Sequence, residues 1–551
     1  MIKSIVLKEW LKLKYYSVSL VVLLIAVLGD FAFNLNFLFS TIEPESMMWY
    51  RFVHLEDKPY FYLSYLYLIF GVVIALVQFL PERIKNRIKI MAHLPLDLKQ
   101  SLFTHLAVGI GFVSLLSLIT SIGVLAIVNI YYPDIIVLIG LKDVAIFTFL
   151  SVLIYVGLSA VIIEKKHLLM GIKLTIVMVV IVVLLKESYT LKDMLWVILL
   201  VYFPFMALDS FYSIKQQRLE SLLYKISGVV LVVALVLQSY SYYTQNYKKE
   251  FNKFYIFYSN VVKDFVYQKN YGGHKFEYGI KDKRTFDKAE YESYLPFVYW
   301  RNLDIQKKLP IVIDKKEYDK KTIKDSRLGF SYNPSMLKPL EIDLFPLLNP
   351  QSDKGMIVFP EEAFTITSLG ATVYAYDNIT HTDHKHKIIN KRVVSLGNEM
   401  NTELKKKGFV YPSKHIWGKA TNMKPYDKGY LILDQKDQLF NLYMVDNTIH
   451  VKKISYPKGI DIAFIKISEN KQKKLSGYAI DTNSNFYLLS WDFKFVKLDL
   501  EKFDYKKMKL KLISNPLNYL IRYDNGIDYY GTLYLKDEHL NLKKVKGVKI
   551  N

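Results

Sequence analysis

Cysteine is absent from the chain. That excludes disulfides, thiolate chemistry, cysteine-ligated zinc and iron–sulfur clusters. A G-x-x-x-x-G-K-[ST] loop is also missing. Gly418-Lys419 in WGKA lacks the upstream glycine and the following hydroxyl residue, so this chain does not cradle nucleotide phosphates in that way. No Ser/His/Asp triad is recognisable, and Glu361 and Glu362 are adjacent, so on a strand they point to opposite faces. No enzyme activity is expected from such a pattern. Acidic residues are outnumbered: 73 Lys and Arg face 51 Asp and Glu, for a formal charge of +22. The basic residues are scattered singly and no nucleic-acid motif accompanies them, so nucleic acid is not an expected partner.

Long apolar runs fill the first part of the chain and are missing beyond about residue 243. A helix needs about 20 mostly apolar residues to cross the hydrocarbon core, because every backbone polar group must be satisfied internally. Seven stretches qualify: 17–39, 60–80, 103–130, 144–163, 168–186, 193–213 and 224–243. The first has no small-residue cleavage pattern near its end, so it reads as a retained helix rather than a signal. Lys173 lies close enough to a helix end to snorkel, and Pro204 is tolerable within a membrane helix.

Lys and Arg in short loops set the orientation. With the N-terminus inside, the inner segments hold fifteen of them and the outer loops five. The reading is therefore a polytopic α-helical membrane domain followed by an extracytoplasmic, mainly-β domain. Residues 1–16 form a cytoplasmic interfacial helix, and 17–243 a transmembrane domain of about seven helices with a cytoplasmic elbow at 81–100. Residues 244–350 form a mixed α/β extracytoplasmic region, and 351–551 a β-rich extracytoplasmic domain. The expected location is a bacterial cytoplasmic membrane, with the C-terminal domain in the periplasm.

The N-terminal segment places Ile2, Ile5, Val6, Trp10 and Leu13 at helical spacing, with Lys3, Lys8, Lys12 and Lys14 between them. Such a helix lies in the membrane interface. Between the second and third spans runs PERIKNRIKIMAHLPLDLKQSLFTHL. It opens at Glu82, carries a basic helical stretch, and then reaches Leu94-Pro95-Leu96-Asp97. Pro95 stops the first helix because the preceding residue is biased away from the α region. Asp97 is a suitable N-cap for the next.

On these residues, the KEW-L-K start and the Glu82 to Leu94-Pro95-Leu96-Asp97 elbow, the sequence resembles the permease subunit of type-2 ABC transporters over about residues 1–215. The seventh span and exported tail go beyond the usual six-span subunit. The resemblance implies that the elbow seats in a groove of a separate ABC ATPase. It also implies that the subunit works as a dimer or pseudo-dimer, and that ATP binds the partner, with no cofactor in this chain. The tail resembles an uncharacterised extracytoplasmic domain found beside bacterial ABC transporters, in KKGFVYP (406–412) and in Lys428 to Asp434.

Within the spans, Asp30 is a carboxylate midway along the first, followed by Asn34 and Asn36. It marks function, or the outer end of a shorter helix, or a cap on a partner helix. His105 and Gln78 lie near cytoplasmic ends and read as structural. Gly109-x-Gly111 and Gly157-x-Ser159 allow close helix approach. In the tail, Phe286 to Leu303 reads as a short helix, a proline and an aromatic cluster. Alternating strands follow from about residue 355. The repeat aspartates Asp434, Asp481 and Asp524 are spaced by 47 and 43 residues. That period suits propeller blades, with a β-sandwich as the alternative. His381, Asp383, His384 and His386 are a candidate zinc or copper cluster, or a solvated turn.

The expected function is a membrane-spanning ABC permease-like subunit whose exported β-domain binds cargo or a partner. A membrane-embedded glycosyltransferase-like enzyme and a membrane sensor or assembly scaffold are the alternatives.

Overall fold

A computed structural model describes residues 2–41, 46–84, 87–92, 97–186, 192–246, 253–349, 357–375, 391–537 and 540–550. The chain divides into two compact units. The first comprises Met1–Glu43 and Glu56–Lys248, and the second comprises Pro44–Leu55 and Lys249–Asn551.

The first unit is helical. It contains α1 (Ile2–Thr41), then α3 (Ser64–Ile84), α4 (Ile88–Ala92), α5 (Leu98–Tyr131), α6 (Asp134–Ile163), α7 (His167–Lys186), α8 (Lys192–Tyr212) and α9 (Leu222–Asn246). Helix α2 (Ser46–His54) belongs to the second unit. Among the described residues, six helices are long and apolar enough to cross a membrane, and His167–Val183 is a shorter apolar helix. This set is compatible with a membrane protein. Helix α6 lies at the centre, packed against α3, α5, α7 and α8. Its burial reflects the position: eighteen of its residues are buried, along one stripe from Ile136 to Ser151 and then on nearly every face from Leu153 to Ile163. Helix α1 exposes Val18, Val22, Ile25, Phe33 and Phe37, a face left without apolar cover among the described residues. Gly109 and Gly157 do allow close approach. A Cβ on Gly109 would fall 2.0 Å from the Tyr155 hydroxyl, and one on Gly157 would fall 2.9 Å from Phe203 and Val177. Gly111 and its surroundings are open.

The second unit is mostly antiparallel sheet, each sheet open and in linear strand order. Strands β1 (Lys253–Ser259), β2 (Asp264–Asn270), β3 (Phe276–Ile280) and β4 (Arg284–Phe286) form the first sheet. Helices α10 (Lys288–Tyr294) and α11 (Trp300–Ile305) follow, then the hairpin β5 (Ile311–Ile313) with β6 (Lys316–Tyr318), and α12 (Lys320–Ser326). Asp287 and Asp319 cap α10 and α12, each accepting a backbone N–H three residues on at 2.8 Å. Next come β7 (Gly329–Tyr332), β8 (Phe345–Pro346), β9 (Glu362–Thr367), β10 (Gly370–Ala375) and α13 (Lys391–Lys406).

Three successive meanders complete the unit. They are β11 (His415–Trp417), β12 (Tyr430–Leu433), β13 (Leu439–Val445) and β14 (Thr448–Ile454); then β15 (Ile462–Ile467), β16 (Leu475–Asp481), β17 (Phe486–Ser490) and β18 (Phe495–Leu498); then β19 (Lys509–Ser514), β20 (Asn518–Asp524), β21 (Tyr529–Leu535) and β22 (Lys544–Ile550). Strand β7 joins the third meander beside β19.

The repeated aspartates occupy one structural position. Each sits at the turn between the second and third strands of its meander. Asp434 Oδ1 accepts from the N–H groups of Lys436 and Gln438, both at 2.8 Å. Asp481 Oδ1 accepts from Asn483 at 3.0 Å and Asn485 at 2.7 Å. Asp524 Oδ1 accepts from Gly526 at 3.2 Å. All three carboxylates accept the backbone N–H two residues on, and Asp434 and Asp481 also the one four residues on, which stabilises a tight turn.

Helix α2 packs on β8 within this unit. Its Met48, Trp49, Phe52 and Val53 are buried. The Ser46 hydroxyl donates to the Pro360 carbonyl, and Tyr50 meets Phe359 edge-on. His54 Nε2 donates to the Leu344 carbonyl at 2.9 Å and its ring lies against Phe345. Burial pushes the His54 imidazole down to about 4, against the smaller upward pull of the Leu344 carbonyl.

Candidate functional site: a charged cluster at the base of the elbow

The elbow starts where α3 ends. Glu82 is buried at that point, and two lysines from α1 converge on it: Lys12 at 2.8 Å and Lys8 at 2.9 Å. The basic N-terminal helix is therefore bound to the root of the elbow. Lys12 Nζ also donates to the Gln78 carbonyl at 3.0 Å and to Glu9 Oε1 at 3.2 Å. Glu9 is fully buried, and its Oε2 has no hydrogen-bond partner among the described residues.

The cluster runs inward from there. His105 Nε2 faces Glu9 Oε1 at 3.8 Å, while His105 Nδ1 donates to the Ser101 carbonyl at 2.7 Å. Because Nδ1 is the donor, Nε2 carries a proton only in the imidazolium form. Gln78 Nε2 donates to the His105 carbonyl at 2.8 Å, and the Tyr155 hydroxyl donates to Gln78 Oε1 at 2.6 Å. Helices α1, α3, α5 and α6 are thus linked by one polar chain. His105 and Gln78, read as structural, are each 1% exposed.

A second cluster joins α6, α7 and α8. Lys173 Nζ lies 2.8 Å from Glu164, 2.9 Å from Asp209 and 2.8 Å from the Ser210 hydroxyl. Arg218, in the α8–α9 connection, pairs with Glu164 at 2.9 Å and with Asp209 at 3.1 Å. Lys173 is 4% exposed. The expected snorkelling is corrected: with two carboxylates in reach, the ammonium is paired inside rather than extended to water.

Helix α4 lies between the two clusters in the chain's wiring. It packs against the short turn Ser213–Lys215, which connects Asp209 to Arg218, and against α5. Ile88 is buried in the helical core, whereas Ile90 is 67% exposed. Asp97 stands at the N-cap position of α5 with extended backbone, but its side chain makes no capping bond. The Asp97 carbonyl instead accepts from Ser101 N–H at 2.9 Å. Leu94, Pro95 and Leu96 lie outside the described residues, as do His381, Asp383, His384 and His386. Among the described residues, no group of three or more His, Asp or Glu is placed to hold a metal. Asp30 is exposed on α1, accepting from the Asn34 amide at 3.0 Å, and is far in sequence from either cluster.

Residues 255–532, from β1 into β21, match a family described as a domain of unknown function, DUF4857. The chain belongs to this family. The DUF4857 match spans the whole run of sheets from β1 to the third meander and stops short of β22. It includes Asp434, Asp481 and Asp524, so the turn aspartates are part of DUF4857, whereas both charged clusters lie outside it. No curated protein and no solved structure matches the chain.

Proposed function

We propose that this chain is the membrane-spanning, permease-like subunit of a bacterial ABC transporter. Its elbow at 81–100 receives the stroke of a separate ATPase, two membrane bundles work together, and the exported β-domain binds cargo or a partner. The observation that carries the reading is the wiring of the elbow. Its root at Glu82 is tied to α1, and its helix α4 rests on the turn between Asp209 and Arg218. A push on α4 would therefore act on α1, α3 and α8 together, as rigid-body rocking requires.

A seven-span topology is supported by a parity argument. The chain enters the β-rich unit twice, at Pro44–Leu55 and after Lys248. One compact unit lies on one side of a membrane, so residues 56–248 cross an even number of times. Helices α3, α5, α6, α8 and α9 make five crossings. Helix α7, with 20 residues, supplies the sixth, and α1 the first of seven. The excess of Lys and Arg on the starting side supports a cytoplasmic N-terminus and a periplasmic β-rich unit. The three meanders favour a propeller-like arrangement of the exported domain over a sandwich.

The test is co-purification from native membranes. Wild-type chain is expected to bring down a P-loop ATPase, and Ile90→Glu is expected to lose it while keeping its membrane level and melting temperature. An ATPase retained by Ile90→Glu, or absent with wild type, counts against the reading.

A further inference from the structure

In the third meander two cations face each other. Lys511 on β19 and Arg522 on β20 are direct cross-strand partners. Like charges placed directly opposite destabilise a sheet, and neither side chain has an ion-pair partner among the described residues. Arg522 Nη1 is buried and has no hydrogen-bond partner there. Burial lowers the Arg522 guanidinium from its ordinary value, and partial desolvation of an otherwise exposed Lys511, with a further push from the facing guanidinium, lowers the ammonium. A fold that retains such a pair holds a site short of negative charge.

The pair opens onto a cavity of about 390 Å³, bounded by β1, β7, β19 and β20, within the usual range for small-molecule sites. Lys253 and Lys509 also line it, so four cations converge with Asp524 as the single carboxylate in the lining. Strand β1 can lie close over this sheet because Gly531, the cross-strand partner of Arg522, has no side chain; a Cβ there would fall 2.9 Å from Ile256. That approach brings Tyr255 to the guanidinium, 5.3 Å from ring centroid to Arg522 Cζ. The wall is thus aromatic and the floor cationic.

We propose that this cavity binds a multiply charged organic phosphate, its oxyanion on Arg522 and Lys511 and its organic portion against Tyr255. An arginine fork with adjacent ammonium groups suits a phosphoryl group, and the aromatic wall suits the carbon skeleton attached to it. The same chemistry is presented by a soluble phosphorylated compound and by the headgroup of an anionic phospholipid. The site lies entirely in the β-rich unit and does not depend on coupling to an ATPase.

Calorimetric titration of the full chain in nanodiscs of zwitterionic lipid tests this, with pyrophosphate and glycerol phosphate as soluble probes. A parallel arm measures binding to vesicles containing phosphatidylglycerol. Binding is expected in at least one arm, weakened at least tenfold by Lys511→Met and strengthened by Asp524→Asn. Lys511 is exposed, so this variant leaves the fold intact, and Arg522→Lys provides a second measure with charge retained and the fork lost. No binding in either arm, or binding unchanged in Lys511→Met, overturns the proposal.

Discussion

Lys12 on the first helix donates to Glu82 at the root of the elbow across 2.8 Å, although the two residues are 70 apart in sequence. Both carboxylates that Lys12 serves, Glu9 and Glu82, are buried. Removing the ammonium leaves them with less compensation in a low-dielectric site. Lys12→Met is expected to cost about 2 kcal/mol, the scale of a lost hydrogen bond to a charged group. The check is thermal unfolding of the detergent-solubilised chain. Glu82→Gln combined with Lys12→Met should be less harmful than the sum of the single changes, because the two interact directly. Strict additivity would mean that the pair is not coupled.

The turn aspartates and two glycines predict large effects in the β-rich unit. Gly429 has φ +70°, and a Cβ there would meet the Leu442 carbonyl at 2.1 Å. Gly477 has φ +145°, with the Lys466 carbonyl at 1.9 Å from the same position. Alanine at either site combines backbone strain with overpacking, and each change is expected to cost about 3 kcal/mol. Asp434→Ala leaves three backbone N–H groups without their acceptor, Val410, Lys436 and Gln438, and is expected to cost about 2 kcal/mol. Chemical unfolding followed by tyrosine and tryptophan fluorescence reads all three. Gly526, with open space around it, is the internal control: Gly526→Asn should be nearly neutral, since asparagine tolerates the left-handed region.

His54 makes the docking of α2 sensitive to acid. The folded chain holds the imidazole neutral down to about 4, whereas the ordinary value is 6.5. Between those values the unfolded chain binds a proton that the folded chain does not, so stability falls as pH falls through this window. The loss amounts to about 2 kcal/mol at pH 5. His54→Gln keeps a donor for the Leu344 carbonyl without titrating there. Its stability should therefore change less than wild type between pH 7 and pH 5. Equal slopes would remove His54 as the cause.

The missing cysteines allow a clean topology measurement. Single substitutions Lys89→Cys and Leu369→Cys place one thiol each on exposed positions of the elbow and of the β-rich unit. In intact spheroplasts a membrane-impermeant maleimide should label Leu369→Cys directly and Lys89→Cys only after permeabilisation. Labelling of both before permeabilisation would contradict an odd number of spans.

The helices and the repeat were legible because their signals are local. An apolar run long enough for the bilayer shows itself without its neighbours, and the aspartates recur because each bonds its own turn. Helix α2 was not legible in this way. Its SMMWYRFVH segment is short and sits in a loop between two spans, and the groups that cover it, Leu344, Phe345 and Phe359, lie roughly 300 residues away. Lys173 was misread for the same reason: a lone lysine near a helix end has the sequence of a snorkelling residue, and only the fold brings Glu164 and Asp209 to it. The elbow cluster was visible at Glu82, but the inward chain through His105, Gln78 and Tyr155 depends on four helices meeting.

The most direct test of the account is a photo-crosslinking amino acid placed at Ile90, the exposed apolar residue of α4, in the native cell. Irradiation followed by mass spectrometry identifies what touches the elbow. The account predicts a covalent adduct with a P-loop ATPase, formed at Ile90 and not at Leu369. Adducts only with lipid, or with a protein that has no nucleotide-binding loop, would contradict it.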